Sequence, residues 1–89
     1  MTEFILYSRP YCHLCDDLLA ALNSTFAGRY PYSVTVVDVD LDPALVAQYD
    51  ELVPVLVAKR GGTLTRLCHY FLDAPAVEAF FCAGEPARP

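Results

Sequence analysis

The stretch Tyr7-Ser8-Arg9-Pro10-Tyr11-Cys12-His13-Leu14-Cys15-Asp16-Asp17 sets two cysteines one helical turn apart behind a short apolar run, Phe4-Ile5-Leu6-Tyr7. An unbroken apolar run of this length fits a strand buried on both faces at the centre of a sheet. Arg9-Pro10-Tyr11 turns the chain, and the period then changes. Leu14, Leu18, Leu22 and Phe26 recur every four residues with Leu19 beside them, which lays one apolar stripe along a helix. Gly28 and Pro31 stop that helix. Cys12 therefore falls where a central strand hands over to a helix N-terminus.

Downstream, the valines at 34, 36, 37 and 39 make Ser33–Asp40 a second strand, since β-branched side chains suit a pleated sheet. Asp42 followed by Pro43 reads as an N-cap and a first helical residue, opening a short helix to about Tyr49. Pro54 cannot donate to a ladder and is placed as the first residue of a strand that continues through Val55-Leu56-Val57-Ala58. Arg60-Gly61-Gly62-Thr63 supplies a tight hairpin turn, so the strand Leu64–Tyr70 returns antiparallel. Asp73 caps a last helix with Pro75 in its first turn, Val77, Phe80 and Phe81 on its inner face, and Gly84 beyond its end.

This order, β-α-β-α-β-β-α, predicts an α/β fold in which a four-stranded mixed sheet is covered by helices on both faces. With 89 residues and 55% apolar content, the chain fits one domain over residues 1–84 and a short proline-rich tail over 85–89. A formal net charge of -5 is the wrong sign for holding a phosphate backbone, which argues against nucleic acid. No secretory signal and no apolar stretch near the roughly 18 residues of a membrane span are visible. A cytoplasmic monomer without a membrane partner is expected, and in a reducing compartment four cysteines point to catalysis or metal rather than to staples.

The unpaired N–H groups of a helix's first turn favour negative charge, so the Cys12 thiolate is stabilised and Cys12 is the expected nucleophile. Cys15, one turn on and on the same side, is the expected resolving thiol. Arg9, beside the nucleophile, is expected to bind an anionic substrate group; it and a protonated His13 favour the thiolate, whereas Asp16 and Asp17 oppose it while stabilising the helix start. Tyr11 either covers the sulfurs or shapes the loop. Cys68 and Cys82 read as core fillers, and His69 as exposed near the sheet edge. A nominal zinc set of Cys12, Cys15, Cys68 and His69 is disfavoured, because adjacent strand residues point to opposite faces; no metal is expected.

The Cys-x-x-Cys after strand one, with Val53-Pro54 ahead of the third strand, resembles the thioredoxin fold and within it the glutaredoxins. Tyr7-Ser8-Arg9-Pro10-Tyr11-Cys12-His13-Leu14-Cys15 is similar to their Tyr-[Ser/Thr]-Lys-x-x-Cys-x-x-Cys opening, with Arg9 at the basic position, able to bind a glutathione carboxylate. Cys-His-Leu-Cys-Asp and Val-Pro-Val-Leu resemble the short bacterial glutaredoxin-like branch. The resemblance implies that Cys12 attacks, that Cys15 resolves, and that a cis bond joins Val53 to Pro54 with the Val53 backbone open to an extended substrate segment. It further implies a thiol-disulfide oxidoreductase acting on protein disulfides or glutathione mixed disulfides, recycled by glutathione or a thioredoxin-type reductase, with no cofactor besides glutathione as reductant. His13-Leu14 replaces the usual Pro-Tyr, Leu52 replaces Thr, and Tyr70-Phe71-Leu72-Asp73 stands where a Gly-Gly-x-Asp helps hold glutathione. The competing class is a binding module: an iron-sulfur or zinc carrier, or an adaptor of the same fold.

Overall fold

Alternate residues of the first strand serve opposite layers. Phe4 and Leu6 are buried beneath two helices, while Ile5 and Tyr7 pack on the other side of the sheet. The computed structural model describes residues 2–49 and 51–83. Its elements are β1 (Thr2–Ser8), α1 (His13–Phe26), β2 (Tyr32–Asp38), α2 (Pro43–Tyr49), β3 (Val55–Arg60), β4 (Thr63–His69) and α3 (Ala74–Ala83), with a 3-10 turn at Val39–Leu41. Gly84 and the tail 85–89 lie outside the described residues.

The sheet order is β2-β1-β3-β4. β1 and β2 run parallel, with Leu6 opposite Val36 and Ser8 opposite Asp38. β3 is antiparallel to β1, with Leu6 opposite Leu56, and β4 is antiparallel to β3, with a register irregularity between Leu56 and Val57. Gly61 and Gly62, at φ 58° and 83°, make the hairpin turn, in which both central residues need positive φ. This is the mixed α/β sheet expected from the element order.

One layer is built by Leu18, Leu22 and Phe26 of α1 and Val77 and Phe81 of α3 against Phe4, Leu6, Leu56 and Ala58. Phe81 lies edge-on to Phe4 at 5.5 Å between centroids and stacks on Tyr30 at 4.2 Å. Fully burying each such side chain contributes about 1.5–3 kcal/mol. The opposite layer is thinner: Tyr49 of α2 joins Val39, Val55 and Val57, and its ring stacks on Tyr7 at 4.6 Å. Asp42 accepts from the Ala44 N–H at 2.9 Å and Asp73 from the Ala76 N–H at 3.1 Å, so both expected N-caps form.

Three expectations are corrected. The second strand ends at Asp38 rather than Asp40, because the Asp38 carboxylate accepts from the Asp40 N–H at 2.9 Å and turns the chain into the 3-10 segment. Leu14 is exposed, and the buried stripe of α1 is Cys15, Leu18, Leu22 and Phe26. Four-residue steps drift about 40° each on a helix with 3.6 residues per turn, so a run of them cannot hold one face. Cys82 is exposed rather than a core filler, since Val77 and Phe81 claim the buried side of α3; its sulfur lies 3.9 Å from the Tyr30 hydroxyl. Cys68 does pack against the core, and burial raises its thiol pKa above the ordinary 9.0. No helix among the described residues is long and apolar enough to cross a membrane.

Candidate active site

Strand direction gathers the expected residues at one end of the sheet. Ser8 pairs with Asp38, Tyr7 with Val55, and Val55 with His69. The exits of β1, β2 and β4 and the entrance of β3 therefore share that end, and α1 and α3 begin there. The opposite end holds the hairpin, where Arg60 donates to the Thr2 hydroxyl and to the Phe80 carbonyl, both at 3.1 Å, and stacks over the Phe80 ring.

Between β1 and α1 the backbone reverses through Tyr11 at φ 60°, a left-handed conformation that costs a non-glycine residue about 1–2 kcal/mol. Tyr11 shapes this loop and does not cover the sulfurs, because its side chain is fully exposed. Cys12 follows as the N-cap of α1, with extended φ and ψ, and its sulfur accepts from the Cys15 N–H at 3.1 Å. A hydrophobic residue at this position would leave that N–H without the sulfur. Cys12 and Cys15 are joined as a disulfide with their Cα atoms 5.2 Å apart. The two sulfurs are unequal in access: Cys12 is half-buried, whereas Cys15 is 4% exposed and belongs to the helix's inner stripe.

The surroundings carry charge asymmetrically. Arg9 Nε and Nη2 both lie 3.1 Å from Asp40 Oδ1, so the one Lys or Arg described at this end faces a carboxylate. His13, Asp16 and Asp17 are exposed around the first turns of α1. Val53 is half-buried and Pro54 buried; their peptide bond is cis, as the resemblance implied. The Pro54 carbonyl accepts from the Tyr70 N–H at 2.9 Å, which ties the β3 entrance to the β4 exit.

Sequence reasoning missed several neighbours. Tyr70, at φ 66°, sends its hydroxyl to the Glu51 carbonyl and its ring edge-on to His69 at 4.7 Å. Leu41 and Phe71, 82% and 67% exposed, follow β2 and β4 at this end of the sheet. The signal for Leu41 was the Asp38-Val39-Asp40-Leu41-Asp42 alternation, whose aspartates cap rather than continue a strand. Cys68 and His69 are not brought to Cys12 and Cys15: among the described residues, no three His, Cys, Asp or Glu side chains are grouped to hold a metal ion. A cavity of about 400 Å³ lined by Ala47, Gln48, Glu51, Leu52 and Tyr70 lies behind the β3 entrance and does not include the sulfurs.

Solved structures share this fold. Protein Ne2328 of Nitrosomonas europaea is 31% identical, superposes with a TM-score of 0.80 and aligns over 90% of this chain and 91% of its own. Protein XcR50 of X. campestris is 34% identical over 90% of this chain and 96% of its own, with a TM-score of 0.61. Mitochondrial thioredoxin 3 of Saccharomyces cerevisiae, in its oxidised form, matches in fold alone, at 17% identity and a TM-score of 0.66 over 92% of this chain and 77% of its own. No curated protein matches the chain. The glutaredoxin-like domain (DUF836) matches residues 3–81. A strand-to-helix Cys-x-x-Cys on a sheet of thioredoxin-like fold, matched by that domain along nearly its whole length, makes this chain a member of the glutaredoxin-like (DUF836) domain family.

Proposed function

We propose that the chain is a thiol-disulfide oxidoreductase that reduces disulfides of protein or glutathione mixed-disulfide substrates with the Cys12–Cys15 dithiol. The observation that carries this reading is the position of the Cys12 sulfur at the helix N-cap, where it accepts the Cys15 N–H at 3.1 Å. In the dithiol the same N–H and the positive end of α1 hold the Cys12 thiolate.

The thiolate attacks one sulfur of the substrate disulfide. A Cys12–substrate bond forms, the substrate S–S bond breaks, and the departing thiolate takes a proton. Cys15 then loses its proton and attacks the Cys12 sulfur, releasing the second substrate thiol. Two electrons have passed to the substrate, and the Cys12–Cys15 disulfide remains. Because Cys15 is buried and Cys12 is not, outside thiols and disulfides meet Cys12 first. Val53 and Pro54 border the attack path, and the Val53 backbone offers an extended substrate a strand-like partner. Glutathione or a thioredoxin-type reductase returns the electrons, in the cytoplasm.

The test is capture. Cys15→Ser protein keeps the helix N–H and Cys12 but cannot resolve, so a disulfide-bearing substrate should stay covalently attached through Cys12, and reducing agent should release it. Wild-type protein should turn over the same substrate. Neither capture by the variant nor reduction by the wild type would overturn the proposal.

A further inference from the structure

Large apolar side chains are exposed unevenly. Tyr11, Leu14, Leu41, Tyr70 and Phe71 all stand at the end of the sheet that carries Cys12, whereas Val36 and Leu64 are the other exposed ones among the described residues. They come from the β1–α1 loop, the first turn of α1, the 3-10 segment and the β4 exit, four separate places that strand direction sets at one pole of the sheet. Exposed apolar groups concentrated at the pole that carries a reactive disulfide mark a contact surface rather than ordinary solvent-facing scatter.

The fixed charges at that end are predominantly negative. Asp16 and Asp17 on α1, Asp38, Asp40 and Asp42 between β2 and α2, and Glu51 ahead of β3 stand there against Arg9, which Asp40 already faces at 3.1 Å, while Arg66 is exposed midway along β4. Lys59 and Arg60 end β3 at the opposite pole, and Arg29 pairs there with Glu78 at 2.9 Å. Glutathione carries two carboxylates and one ammonium, so this surface repels it, whereas a cationic chain is drawn in.

We infer that the surface around Cys12 selects a protein disulfide set among basic and apolar side chains, and discriminates against glutathione disulfides. This rests on the oxidoreductase reading and narrows its substrate class. The apolar side chains of the partner cover Tyr11, Leu41 and Phe71, and its Lys or Arg side chains meet the acidic residues. Electron flow is unchanged: the reduced pair gives two electrons to the partner's disulfide and closes as Cys12–Cys15.

The experiment uses pre-reduced full-length protein in single turnover. Its substrates are two peptides with one disulfide and the same apolar neighbours, flanked by Lys in one and Glu in the other, together with oxidised glutathione. Rates are normalised to those of uncharged dithiothreitol. At about 0.01 M salt, where the Debye length is about 30 Å, the Lys peptide should react about tenfold faster than the Glu peptide, equivalent to about 1.4 kcal/mol. The preference should shrink to within about twofold at 1 M, where the length is about 3 Å. Asp17→Lys with Glu51→Lys should abolish it, and Phe71→Ser should slow both peptides. A thermal melt of each variant verifies folding. Equal reduction of both peptides, or faster reduction of oxidised glutathione than of the Lys peptide, overturns the inference and leaves the oxidoreductase reading intact. Reduction of no substrate overturns both.

Discussion

Phe81→Ala tests the packing that holds the site's two helices to the sheet. Phe81 is 3% exposed and its ring touches those of Phe4, Phe26, Tyr30 and Tyr32 at centroid distances of 5.5, 5.4, 4.2 and 5.9 Å. Losing its burial removes about 2–3 kcal/mol of transfer energy. A residual cavity of some 50 Å³ adds about 1 kcal/mol at roughly 24 cal/mol per Å³. Together these place the loss at about 3–4 kcal/mol, inside the range measured for Phe→Ala in cores. A domain of this size holds only about 4–13 kcal/mol, so the change should lower the melting temperature by roughly 15–30 °C. The assay is urea unfolding of the reduced protein followed by circular dichroism, with Leu64→Ala, 55% exposed, as a control expected to stay within about 0.5 kcal/mol. Phe81 sits toward the pole away from Cys12, so below the melting temperature the single-turnover rate per folded molecule should change less than twofold. A loss under about 1.5 kcal/mol with an unaltered denaturant slope would refute the packing argument.

Other outcomes follow from the same geometry. The oxidised protein should be more stable than the reduced by no more than about 2 kcal/mol, because cross-linking so short a loop removes little chain entropy; paired urea melts with and without reductant measure this. Burial raises Cys68 above its ordinary 9.0 and Tyr7 and Tyr32 above 10.0, with the neighbouring Tyr49 adding to the shift at Tyr7. The folded state therefore holds these protons longer than the unfolded one, so stability from this source is intact below about pH 9 and falls as pH rises beyond it; urea midpoints at rising alkaline pH should show the decline, and Cys68→Ala should delay its onset. Arg9→Ala removes an ion pair whose partners are 33% and 47% exposed, and should cost under about 1 kcal/mol while increasing the preference for cationic peptides.

Much of the frame was readable because its signals are local. Pro54, placed as the first residue of a strand, stands one residue ahead of it; Gly61-Gly62 had to turn one, and Asp42 and Asp73 had to begin helices, since each choice follows from backbone torsions or an unpaired N–H. Cys12 at the N-cap was legible for the same reason. What escaped depends on several elements at once. Val39 reads as strand until the Asp38 side chain is seen capping the turn after it. Leu14 matches the four-residue rhythm, but only the packing of Cys15 decides which side of α1 faces inward. The placing of Leu41 and Phe71 at the same pole of the sheet, and of Asp40 against Arg9, arises from strand order and direction, which no short window of sequence contains.

Cys82 has a practical consequence. As an accessible thiol on the last helix, remote from the reactive pair, it answers sulfhydryl reagents whether that pair is open or closed. A count of reactive thiols on the untreated protein thus begins above zero. Two molecules joined through this position would migrate on a non-reducing gel much as a captured small partner does. Cys82→Ser is therefore the proper background for every trapping and electron-counting measurement on this chain, and a band that persists in that background is genuine cargo.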